Sequence, residues 1–375
     1  MKKGWQTIPM GQLCAIKSGK SDTKDAVENG AYAFFDRSRT VKKSTRYLYD
    51  CEALIIPGEG TEFLPKHFEG KFDLHQRAYA LYDFAKKIDV KFLYYFLHHF
   101  SEYFPRVAVG ATVKSLRLRH FEQLPVSITD LPEQKRIVGI LDEAFAGIAA
   151  AKTTAEQNLQ NARALFESHL NAVFTQKGDG WVEKTLSEIS TDFGRGKSKH
   201  RPRNDPKLFG GKYPFIQTGD VRNSDHLITS YSETYNEAGL AQSKLWPKGT
   251  LCITIAANIA ETGILDFAAC FPDSVIGVVV DKSQTSSRFL EYLLQSFKAQ
   301  LQAQGKGSAQ ANINLGTFKN RPFPFPNLKT QAEIVATLDF LRAETARLAA
   351  LYAKKLAALE ELKKSLLHQA FAGAL

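Results

Sequence analysis

Two clusters of cations, each interleaved with small or hydroxyl residues, are the parts of this chain best equipped for chemistry. Arg195, Lys197, Lys199, His200, Arg201 and Arg203 follow closely on one another, with Gly194 and Gly196 among them. Lys17 and Lys20, then Arg37, Arg39, Lys42, Lys43 and Arg46, form the other. Such cations neutralise phosphates and release condensed counterions, the sequence-independent part of nucleic-acid binding. Side chains able to make paired hydrogen bonds to a base edge stand nearby: Arg37 and Arg39 after one Gly-Tyr strand, and Gln217, Thr218, Asp220 and Arg222 after another. Thr112 and Lys114, and Gln310 and Asn312, occupy two Gly-led loops. A basic run can equally be solvated surface. Two runs at comparable places in a chain of net charge +10 point instead to nucleic acid.

Catalytic patterns are thin by comparison. Glu69-Gly70-Lys71 with Asp50 upstream faintly matches a carboxylate-x-lysine nuclease pattern, but an E-x-K triplet is common by chance. Cys14, Cys51, Cys252 and Cys270 have no paired spacing, and His75, His98 and His99 have no metal-ligand spacing with them. There is no GxxxxGK[ST] phosphate loop and no Asn-Pro-Pro-Tyr-like tetrapeptide of the kind an amino-methyltransferase uses. The expectation is a reader that is not an enzyme, with no metal and no cofactor of its own. Met1-Lys2-Lys3-Gly4-Trp5 lacks an apolar h-region and no apolar run approaches about 18 residues, so a cytoplasmic protein with no membrane span is expected.

The elements that must position these residues are duplicated. Leu131–Phe174 returns without a gap as Leu328–Phe371, a shift of 328 − 131 = 197. Gln134/Gln331, Ile137/Ile334, Leu141/Leu338 and Asp142/Asp339 are among the paired identities. The kept positions are mostly apolar and three, four or seven apart, which predicts a helix. About 40 residues without Pro give roughly 60 Å of helix at 1.5 Å per residue. Asp130 with Glu133, and Asn327 or Thr330 with Glu333, are placed to cap the starts. Lys177-Gly178-Asp179-Gly180 breaks the first helix.

The echo extends upstream. Gly4-Trp5 returns as Gly180-Trp181, Gly19-Lys20-Ser21 as Gly196-Lys197-Ser198, and Gly110–Leu116 as Gly307–Ile313. The second copy carries extra residues, roughly twenty, before Leu251. Ala53–Ile56, Ala78–Tyr82, Leu251–Ile255 and Val275–Val280 read as strands, followed by a short helix near 91–100 and near 288–300. The predicted class is α+β: two globular domains with mixed or antiparallel sheets, 1–130 and 178–327, separated by long spacer helices at 131–177 and 328–375.

The two helices are predicted to pair with each other. With Leu338 at heptad position a, Leu341, Leu348 and Tyr352 continue one bulky seam, which resumes at Leu362. Leu141, Ile148, Ala151 and Ala155 form a smaller one that ends at Leu165. Small side chains opposite large ones interdigitate. Antiparallel pairing is preferred, because the Gly178-Asp179-Gly180 linker could hardly return the second domain along a parallel pair. The result would be a pseudo-two-fold molecule with a head at each end of an antiparallel coiled coil, spanning on the order of two turns of B-DNA at about 34 Å each.

The entry Leu131-Pro132-Glu133-Gln134…Ile137-Val138…Leu141-Asp142 resembles the conserved-region helices of Type I restriction-modification specificity subunits. So do Tyr213-Pro214-Phe215-Ile216…Gly219-Asp220-Val221 and the loops at Gly110–Leu116 and Gly307–Gln310, in the same order along essentially the whole chain. Lys329-Thr330 replaces the Pro-Glu of the first copy, and Phe35-Asp36-Arg37 replaces the Gly-Asp loop. The resemblance implies two target-recognition domains, each reading one half of a split DNA sequence, with the helices as a ruler between the halves. It implies docking of two modification (methyltransferase) subunits and of restriction subunits, ATP-dependent translocase-nucleases, with S-adenosylmethionine bound by the modification partner. A protein scaffold that reads no sequence and a stand-alone nuclease are the alternatives.

Overall fold

The structure, a computed structural model, describes residues 4–256, 259–306 and 314–375, the side chains of 304–306 excepted. Gln310 and Asn312 therefore lie outside the described residues. The chain's contacts gather into two units, residues 1–157 with 352–375 and residues 158–351. Each unit holds one predicted head together with a share of both long helices, Leu131–Thr175 and Leu328–Ala372.

In the first unit a six-stranded sheet runs in the order Ala15–Ser18, Ala78–Tyr82, Tyr49–Pro57, Lys66–Leu74, Tyr32–Phe35, Lys42–Ser44. It is mixed, because Tyr32–Phe35 runs parallel to Lys66–Leu74 while the other pairs are antiparallel. Tyr49–Pro57 begins with alternating exposure and ends fully buried, as a strand must when its far half is covered on both faces. A two-stranded piece, Gln6–Pro9 with Pro125–Ile128, closes the head next to the long helix.

The second unit repeats the plan. Its sheet runs Ser190–Arg195, Val275–Val280, Leu251–Thr254, Thr262–Leu265, Leu227–Ile228, again with its fifth strand parallel to the fourth, here at the edge. Val182–Lys184 with Phe323–Phe325 is its closing pair. The extra residues of the second copy are where the plans diverge. Phe209–Phe215, the counterpart of Tyr32–Phe35, leaves the large sheet and pairs with Glu233–Tyr235 in a separate ribbon, and Leu227–Ile228 takes the vacated place beside Thr262–Leu265. The helix predicted near 288–300 is two helices, Ser287–Ser296 and Lys298–Lys306, meeting at Phe297. Ser286 caps the first by accepting from Phe289 N, as Asp89 caps Val90–His99 by accepting from Phe92 N.

Both long helices start as expected at Leu131 and Leu328. Asp130 Oδ1 accepts from Glu133 N at 2.9 Å, and Asn327 Oδ1 accepts from Thr330 N at 3.0 Å, so Asn327 rather than Thr330 is the second cap. Within the first unit Arg136 bonds the Leu375 carbonyl, Lys363 sits over the Phe145 ring and Lys152 pairs with Glu360. Numbers rise on one helix as they fall on the other, so the helices are antiparallel there. The second unit has the same sense, with Arg342 over the Phe166 ring, and Leu338 in one core with Leu170 and Phe174.

Of the pairing residues, Leu141, Ala155 and Leu338 are buried, and Ile148, Ala151, Leu341, Leu348 and Tyr352 are half-buried. The heptad fails farther along. Leu165 and Leu362, equivalent by the 197 shift, are 52% and 47% exposed. A straight helix drifts about 20° per heptad, so a strict seven-residue count rotates off the interior. Leu170, Phe174, Leu367 and Ala370 take the buried places instead.

Candidate nucleic-acid interface

Each head is fastened to its helix by the same two polar joints. Gln134 is fully buried; its Nε2 donates to the carbonyls of Lys87 and Thr129, and its Oε1 accepts from Asp89 N. Gln331 donates to the carbonyls of Gln284 and Pro326, and its Oε1 accepts from the Thr285 hydroxyl at 2.8 Å. The second joint is acidic. Lys91 and Tyr95 converge on Asp142, and Arg288 and Tyr292 on Asp339. Burial pushes both carboxyls up, but the bonds from Lys91 and Tyr95, and from Tyr292 and Arg288, outweigh it and hold them below the usual carboxylate range. The paired identities thus encode attachment, and the loops are left to vary.

Glycine in the Gly-Lys-Ser repeat has a geometric cause. A Cβ at Gly19 would lie 1.9 Å from the Leu74 carbonyl oxygen, and one at Gly196 would lie 2.1 Å from that of Phe271. The serines that follow, Ser21 and Ser198, are buried, while Lys20 and Lys197 between them are exposed. The turn therefore anchors itself by its flanks and presents one cation outward in each head.

The other candidates divide into held and unheld. Arg39 is bound by both Glu62 oxygens. Lys42 pairs with Asp36 at 2.6 Å, and Asp36 also accepts from Ser38 N. Arg46 reaches Asp25 and the buried Asp73, which Ser21 and Ser44 also bond. These three cations brace the first head. Lys20, Arg37, Lys43 and Lys114 are exposed and form no ion pair among the described residues. Thr112 is exposed in a loop closed by the Val109–Ser115 bridge.

In the second head Arg195 donates to the Asp273 carbonyl, Arg201 to those of Ser198 and His200, and Arg203 to the Asp273 carboxylate. Lys197 and Lys199 are exposed with no ion pair among the described residues. Gln217, Thr218, Asp220 and Arg222 are not in an open loop; Thr218–Asn223 is a short helix. Asp220 caps it by accepting from Gln217 N at 2.8 Å, which gives that carboxylate a structural task. Gln217 donates to Glu233 at 2.6 Å. Reading the chain as loops missed Glu233, because only the ribbon pairing of Phe209–Phe215 with Glu233–Tyr235 brings it to Gln217.

The residues of the nuclease pattern lie on two paired strands. Lys71 lies 4.0 Å from Asp50 across the strand pair, and Glu69 faces Glu52 in the register. Among the described residues no group of three His, Cys, Asp or Glu is placed to hold a metal. No described helix is long and apolar enough to cross a membrane.

Known proteins share this plan. The Type I restriction enzyme EcoDI specificity subunit of Escherichia coli is 23% identical over 406 residues, spanning 99% of this chain and 88% of that protein. The Type I restriction enzyme StySPI specificity subunit of Salmonella potsdam is 23% identical, spanning 98% and 82%. Among solved structures, a chain from work on complex assembly and conformational transition of the type I R-M system superposes with a TM-score of 0.74 at 18% identity, over 100% of this chain and 99% of that one. The HsdS subunit from Thermoanaerobacter tengcongensis gives 0.63 at 18% identity, over 99% and 97%. The family model for the Type I restriction modification DNA specificity domain matches residues 2–160 and again 178–360, one match for each repeat, and the chain belongs to that family.

Proposed function

We propose that this chain reads an asymmetric, two-part sequence in double-stranded DNA and carries that choice into a Type I restriction-modification complex. One observation carries the reading: two heads share the order of four strands but differ beyond it, where one continues with Tyr32–Phe35 and Lys42–Ser44 and the other adds only Leu227–Ile228 and builds a separate ribbon. A common frame with different edges is what two different half-sites require. Lys20, Arg37, Lys43, Lys114, Lys197 and Lys199 supply the phosphate contacts. The long helices set the spacing between half-sites and offer docking faces to two modification subunits, and restriction subunits join the larger assembly. S-adenosylmethionine and all catalysis belong to those partners, in the cytoplasm.

The test is to co-express the chain with its modification subunit, select bound duplexes from a random pool, and map methylation in cells. A split motif with unlike halves is the expected result. Replacing residues 1–130 by those of a relative should change one half and leave the other. Duplex binding with no sequence preference would favour the scaffold alternative.

A further inference from the structure

The second head contains a cavity of about 480 Å³ that involves the ribbon and has no place in the first head's plan. Its lining includes Phe209 and Phe215, the rim pair Gln217 and Glu233, and Arg203 and Ser198. Phe215 stacks on Tyr235 at 4.1 Å, which fixes an aromatic wall. The buried Ser198 hydroxyl lies beside the Tyr235 hydroxyl. Taken as a cube the cavity is about 8 Å across, too small for a duplex and large enough for a single nucleoside. Base edges in an intact duplex are read by protruding side chains. A recess among them calls for a nucleotide that has left the stack.

We infer that this cavity receives one base extruded from the second half-site, and that Glu233 and Gln217 hold its pairing edge. This rests on the DNA-reading function proposed above. Glu233 is an acceptor, and the Gln217 amide keeps a second N–H after donating to Glu233. An acceptor beside a donor complements the pairing edge of a base, whether the amino group and ring nitrogen of adenine and cytosine or, turned over, the ring N–H and carbonyl of guanine and thymine. Aromatic contact with Phe209 and Phe215 offsets part of the unstacking cost. Lys197 and Lys199, exposed and close in sequence to the lining residue Ser198, meet the phosphates of the displaced nucleotide.

The experiment uses the full chain with its modification subunit and the selected duplex. An abasic nucleotide is placed opposite each base of the second half-site in turn. Removing the pairing partner lowers the cost of extrusion, so binding should tighten on the order of tenfold at one position. That gain should vanish in Glu233→Ala and in Gln217→Ala; both side chains are exposed, and a melting curve checks that each variant folds. No position that gains, or a gain that persists in both variants and so belongs to the partner's extruded base, overturns the cavity assignment and leaves the DNA-reading function standing. Failure of any duplex to be selected removes both.

Discussion

Tyr292 donates its hydroxyl to Asp339 Oδ1 at 2.5 Å, and 197 residues earlier Tyr95 makes the same bond to Asp142. Each tyrosine lies on the short helix of a head, and each aspartate on a long helix. Arg288 adds a second donor to Asp339 at 2.7 Å, where the first repeat has Lys91. The joint therefore survives an Arg-to-Lys exchange, because the tyrosine supplies the directional bond.

Asp339→Asn should destabilise the second unit by about 2 kcal/mol, since hydrogen bonds to a charged acceptor contribute roughly 1.5–3 kcal/mol. Tyr292→Phe should lose less, because Arg288 still neutralises the carboxylate. Urea denaturation of the full chain measures both. The sign with pH follows from the depressed carboxyls: their stabilisation is full above the unfolded value of 3.8 and is lost as pH falls through the lower folded value. The steepness of acid unfolding below pH 3.8 should thus diminish in Asp142→Asn and Asp339→Asn.

His98 gives a second, separate pH dependence. Burial, with Lys363 adding to it, pushes this imidazole from 6.5 down to about 4. A depressed base resists protonation in the fold, so stability is full above pH 6.5 and declines between 6.5 and 4. The decline should amount to about 2 kcal/mol, since one pKa unit is about 1.4 kcal/mol and partial exposure screens part of the shift. The second repeat has Gln295 at this position. His98→Gln should remove the slope in that window, measured as melting temperature against pH.

Gln134→Ala and Gln331→Ala should each cost about 2–3 kcal/mol, because the carbonyls of Lys87 and Thr129, or of Gln284 and Pro326, are left unsatisfied. Hydrogen exchange should quicken at Asp89 N, whose acceptor is Gln134 Oε1.

Arg37 and Arg46 should behave oppositely, although both belong to one basic run. Arg37→Ala should weaken DNA binding and lower the salt slope by about 0.9, the change for one phosphate contact, with no loss of stability. Arg46→Ala should destabilise the first head, because the buried Asp73 loses its cation. Salt-dependent binding isotherms and thermal melts separate the two.

Gly19→Ala and Gly196→Ala should fail to fold their heads normally or lose at least about 3 kcal/mol, since the new methyl meets backbone that cannot retreat. Circular dichroism melts of each variant check this.

The sequence by itself determined whatever repeats. The ungapped echo gave the helix starts at Leu131 and Leu328, the cap at Asp130 and the choice of Asn327 or Thr330 for its counterpart, because helical periodicity and capping are local and are written in neighbouring residues. It marked Gln134 and Asp142 as kept without saying why. Their partners lie about 45 residues away, and only folding brings them together. The division of Arg37 from Arg39 and Arg46, the helical turn at Thr218–Asn223, and the meeting of Gln217 with Glu233 were likewise decided by tertiary structure. Each depends on which carboxylate or strand arrives from elsewhere in the chain, and the spacing of charges along a sequence does not carry that information. The exposure of Leu165 and Leu362 has the same origin, because a heptad count fixes a helix face only while the partner helix follows it.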